Sequence, residues 1–106
     1  MAKEQDLGTN FTVTLLRLTE LLDDPLVRGE KREALNRHRL KLTRQIRDLV
    51  NSDVERGTEE YRESVDALRN AVTAIRAAKK SLARVAEAIE KIATAISWLG
   101  KLAEKL

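Results

Sequence analysis

From Tyr61 to Leu106 apolar residues recur every three or four positions. Val65, Leu68, Val72, Ile75, Leu82, Val85, Ile89, Ile92, Ile96 and Leu99 keep that spacing, and no helix breaker intervenes before Gly100. A helix of 3.6 residues per turn puts such positions on one face, so the pattern predicts a single long amphipathic helix over about residues 53–100. Ser52 and Glu55 fit a capping box at its start. Thr58, followed by Glu59 and Glu60, offers a second start beyond Gly57.

Two shorter helices precede it. Phe11, Leu15, Leu18 and Leu22 are spaced four, three and four apart. With Thr9 or Asn10 as N-cap, they predict a helix over 9–23 behind a disordered polar lead-in, residues 1–8. Asp23-Asp24-Pro25 ends it, because proline disfavours helical geometry in the residue before it. The next helix is expected over 26–51, starting at about Pro25 or Gly29. Leu35, Leu42, Ile46 and Leu49 fall within about 60° of one another on its wheel. Arg39 falls inside the same face, so it must snorkel to the edge or pair with a carboxylate there.

The fold class that follows is all-α: an antiparallel helical bundle of two or three helices per subunit, dominated by one long C-terminal helix. At 1.5 Å per residue that helix spans about 70–80 Å, and the first two helices laid end to end nearly match it. The second helix is expected to fold back on residues 55–78 and the first to cover 82–100. The apolar stripe is narrow before Lys79 and Lys80 and widens after them. A helix with two seams needs two neighbours, and the first helix is too short to be both. The pattern therefore predicts a coiled-coil-like homodimer whose interface is Leu82, Val85, Ile89, Ile92, Ile96 and Leu99. A monomeric three-helix bundle is the alternative.

Composition narrows the picture. The chain has 106 residues, which is one domain. Aromatic residues make up 3%, so the core must be built from Leu, Ile, Val and Ala. With no cysteine, disulfides and thiolate metal sites are excluded. The N-terminus lacks an apolar signal region and no stretch reaches transmembrane length, which sets a cytoplasmic expectation.

The net charge of +3 is concentrated in the middle of the chain. Residues 28–47 hold eight basic side chains against Glu30 and Glu33. Arg37, Lys41 and Arg44 form one ridge opposite the buried stripe, a candidate polar or anion-binding face. It suits an acidic protein surface or, as a second reading, nucleic-acid phosphates. The plain alternative is a solvated face balanced by Glu59, Glu60, Glu63 and Asp66 on the neighbouring helix. Those acids lack the Glu-x-x-His motif of carboxylate metal bundles, and early helical turns favour carboxylates through the dipole alone. His38, the one histidine, sits at the margin of the apolar stripe and has no triad partners. The four glycines are isolated, so there is no phosphate-cradling loop. No catalytic activity, cofactor or metal is expected. Residues 89–106 combine Trp98 with apolar and lysine positions, as an interfacial membrane helix does, although continuity with the upstream stripe makes them bundle core. The reading is a non-enzymatic protein–protein interaction module, of the adaptor, chaperone, immunity or regulator type, that works through helix packing and self-association.

Overall fold

In the computed structural model, which describes residues 7–50 and 58–105, the chain forms α1 (Leu7–Leu22), α2 (Gly29–Val50), α3 (Glu59–Lys80) and α4 (Val85–Ala103). The all-α expectation holds. Helix boundaries differ from it at the start of α1, at the start of α3 and at Ser81.

The first difference is at the start of α1. Leu7 and Gly8 belong to the helix, and Thr9 and Asn10 lie inside it, not at its cap. Leu7 is buried and its backbone N–H donates to the Tyr61 hydroxyl at 3.0 Å, so a side chain from α3 satisfies the first donor of α1.

At the α1–α2 turn the later of the two expected starts holds. Asp24 turns the chain by accepting the Leu26 N–H on its side chain (2.9 Å) and the Val27 N–H on its carbonyl (3.0 Å). Pro25 stays in this turn, and α2 begins at Gly29, whose φ of 68° lies in the left-handed region. Arg32 reaches back to donate to the Leu22 carbonyl at the C-terminus of α1.

The difference within the expected third helix is the largest. The long helix of the sequence pattern is broken at Ser81. Its backbone is extended (φ −145°, ψ 112°), its N–H donates to Ala77 O at 3.0 Å to finish α3, and Leu82–Arg84 form a 3₁₀ turn that leads into α4. Because φ at Ser81 is negative, neither glycine nor proline is needed, and the sequence carries no punctuation there. The two halves fold onto each other. Ala67, Ala71, Ala74 and Ala78 of α3 and Ala88 and Ala95 of α4 are all buried, and such small side chains let helix axes come close. What read as one helix with two seams is a hairpin whose arms cover each other. At its other end α4 runs through Gly100.

At the N-terminus of α3, Thr58 is the cap, with extended backbone and its hydroxyl accepting the Tyr61 N–H at 3.2 Å. The Ser52–Glu55 capping pattern lies outside the described residues.

The ring order of the bundle is α1–α3–α4–α2. Each hairpin is antiparallel, but like arms run parallel: α1 beside α3 (Leu7 with Tyr61, Thr14 with Leu68, Glu20 with Lys79) and α2 beside α4 (Gln45 with Ile96). The expected docking of the second helix on 55–78 and the first on 82–100 is therefore reversed. Consecutive helices α2 and α3 sit across the diagonal. Phe11, Leu18 and Leu21, Leu35 and Leu42, Val65, Leu68 and Ile75, and Val85, Ile92, Leu99 and Leu102 fill the centre, all but excluded from solvent. Truncating any of the leucines or isoleucines to alanine costs about 2–5 kcal/mol by removing its transfer energy and leaving a cavity.

Candidate interaction surfaces

The outer face of α2 is the candidate that the sequence singled out. Arg37, Lys41 and Arg44 are exposed and lie within about 60° of one another, opposite the buried Leu35 and Leu42. Leu40 lies beside them and is 54% exposed, an apolar side chain framed by cations. Among the described residues no carboxylate forms a salt bridge with any of the three. The expected balance by the acids of α3 does not occur, because α3 is diagonal to α2. Glu60 instead meets Lys105 beyond the end of α4 at 3.7 Å, while Glu63 and Asp66 border a cleft with Lys91 and Trp98 of α4. Arg39 is half-buried and, among the described residues, also has no carboxylate bridge.

The six residues expected as a dimer interface lie within the chain's own bundle. Val85, Ile92, Ile96 and Leu99 are buried, and Leu82 and Ile89 are half-buried against the same core. The fold-back at Ser81 supplies the second neighbour that the wide stripe demanded. A dimer through this stripe would require the bundle to open. The same burial removes the apolar side that a C-terminal membrane helix needs. Trp98 is half-buried, with the Lys101 ammonium 4.4 Å from its ring centroid.

His38 and Gln45 line the α2–α4 seam seven residues apart. Gln45 Nε2 donates to the Ile96 carbonyl at 3.1 Å, and the imidazole of His38 faces the Ile89 carbonyl one heptad earlier. Among the described residues His38 Nε2 and Gln45 Oε1 are buried without a partner. Burial pushes the His38 pKa below the usual histidine value. Arg37 pushes the same way, the Ile89 carbonyl opposes them, and Lys41 adds to the lowering.

A second basic face, between α1 and α3, was missed. Arg62, Arg69 and Arg76 are exposed at heptad spacing on α3. Near the helix ends Arg17 and Glu20 of α1 meet Arg76, Lys79 and Lys80 around a cleft of about 290 Å³. Glu20 accepts from Arg17 (3.0 Å) and Lys79 (3.4 Å). Hydrogen bonding from Arg17 holds its carboxyl below the usual range, slight desolvation opposes this, and Lys79 adds to the lowering. The heptad of arginines was available in the sequence. The contribution of Arg17 was not, because it depends on α1 lying parallel to α3.

Among the described residues no group of three or more His, Cys, Asp or Glu side chains could hold a metal ion, and no described helix is long and apolar enough to cross a membrane. No family model, no curated protein and no solved structure matches the chain.

Proposed function

We propose that the protein is a non-enzymatic interaction module that docks an acidic protein surface on the outer face of α2. One observation carries this reading. Arg37, Lys41 and Arg44 stand exposed beside the exposed Leu40 and form no salt bridge among the described residues, while the acids expected to balance them lie on the diagonal helix α3, Glu60 paired with Lys105 and Glu63 and Asp66 bordering the α3–α4 cleft. A framed apolar side chain adds contact area that cations alone lack, and the cations steer and orient the encounter. The matching partner surface is a helix or ridge bearing two or three carboxylates around an apolar socket. Self-association through α4 is not part of this reading, since its apolar stripe is spent inside the chain.

The test is affinity capture from an extract of the source cells, comparing the wild-type chain with R37E/K41E/R44E, after nuclease treatment and with a salt gradient. The reading expects a discrete protein that elutes as salt rises and is lost with the triple variant. Retention by both proteins alike, or retention of nucleic acid only, sinks it. Light scattering on the same sample reports the mass, and a single-chain mass is expected before the partner is added.

A further inference from the structure

We propose that the α1–α3 face binds a nucleic-acid backbone without regard to sequence. Arg62, Arg69 and Arg76 are seven residues apart, which places them about 10.5 Å apart along α3 and within about 40° on its wheel. Lys80 continues the line, so the cations extend over about 27 Å. All four are exposed, and none forms a salt bridge among the described residues. At the Lys80 end the parallel packing of α1 brings in Arg17, and the cleft of about 290 Å³ opens between Arg17, Arg76, Lys79 and Lys80. Glu20 is the one carboxylate in that cleft and occupies Arg17 and Lys79, which leaves Arg76 and Lys80 for an incoming oxyanion. Its own position shows that these cations close on an oxygen acceptor.

The chemistry of the ligand follows from what the face holds and lacks. A straight row of guanidinium groups matches a ligand that is itself a row of charges, and guanidinium forks suit phosphate oxygens. The face has no large apolar residue to enter a bilayer. Among the described residues the exposed ones are Leu16, a single side chain one turn before Glu20 and outside the cleft lining, Leu26 in the α1–α2 turn and Leu40 on α2. Nor does it offer a ring for base stacking. Phe11 and Tyr61 are buried and Trp98 faces the α3–α4 cleft. Contacts are thus to phosphate, and affinity depends on salt.

The experiment is fluorescence anisotropy with a labelled single strand and a labelled duplex of arbitrary sequence, each about 20 nucleotides long, between about 50 and 200 mM salt, the range over which phosphate contacts lose their affinity. Wild type should bind at micromolar Kd at the low end and weaken steeply with salt. R62Q/R69Q/R76Q removes charge from solvent-facing positions and should keep the helical melt. It should weaken binding at least about tenfold at low salt and flatten the log–log salt slope by about two to three. R37E/K41E/R44E, on the opposite side of the bundle, should leave the Kd within about twofold, which separates this face from the α2 face. The proposal is overturned if wild type does not bind at low salt, if both triple variants weaken binding equally, or if anionic phospholipid vesicles compete as well as an unlabelled strand.

Discussion

The hydroxyl of Tyr61, in the first turn of α3, accepts the backbone N–H of Leu7, the first residue of α1, at 3.0 Å. The two side chains are buried, so this bond registers one hairpin against the other in a place water does not reach. Tyr61→Phe keeps the ring and leaves the N–H without its partner. It should lower stability by about 1–2 kcal/mol, seen as a shift of the urea midpoint with an unchanged slope. An unaltered midpoint would mean that Leu7 reaches solvent when the tyrosine oxygen is removed.

His38 gives the fold an acid-side weakness. Its pKa is lowered in the folded chain by burial and by Arg37 and Lys41, so the unfolded chain binds the proton more readily. Stability is complete above the unfolded histidine value of about 6.5 and declines as pH falls from there toward the lowered folded value. Thermal melts should show a Tm that falls between about pH 7 and 5, before most carboxylates titrate. His38→Gln removes the titrating group and should flatten that slope. A slope unchanged by the substitution would assign it to other groups.

Ser64 is fully buried on α3, and its hydroxyl has no hydrogen-bond partner among the described residues. Burying an unpaired hydroxyl costs about 1–3 kcal/mol. Ser64→Ala should therefore raise the Tm, helped by the better helix propensity of alanine. A lower Tm would show that the hydroxyl bonds within the core after all.

Gly29 opens α2 at φ 68°, with open space where a Cβ would stand. Alanine meets no clash there but must adopt left-handed backbone, at about 1–2 kcal/mol. Gly29→Ala should destabilise by that amount, whereas Gly29→Asn should lose less because asparagine tolerates this region. Equal stability of all three would mean that the turn has shifted.

Apolar periodicity made the buried faces readable in advance. Leu35, Leu42 and Leu49 on α2 and Val65, Leu68 and Ile75 on α3 are inside, as their spacing requires. The exposure of Arg37, Lys41 and Arg44 followed from the same wheel. Spacing along one helix says nothing about which helix lies opposite, however. The isolation of those cations from Glu63 and Asp66 depends on the ring order, and the cleft around Arg76 depends on Arg17 coming from another helix. Nor did any residue type mark Ser81. An extended serine flanked by good helix formers is decided by the packing of the arms it joins. The six apolar residues assigned to a dimer interface were recognised as needing a partner surface, and that surface is in the same chain.

The turn at Ser81 has a topological consequence. If helical geometry ran through it, residues 59–103 would form a rod of about 65 Å, well beyond the 40 Å length of the molecule. The alanine-lined arms would then be parted, and the surface that fits each best is the matching arm of a second, equally straightened chain. The backbone of one short turn, Ser81 and the 3₁₀ residues after it, therefore stands between a self-contained molecule and a pair that exchange their C-terminal helices.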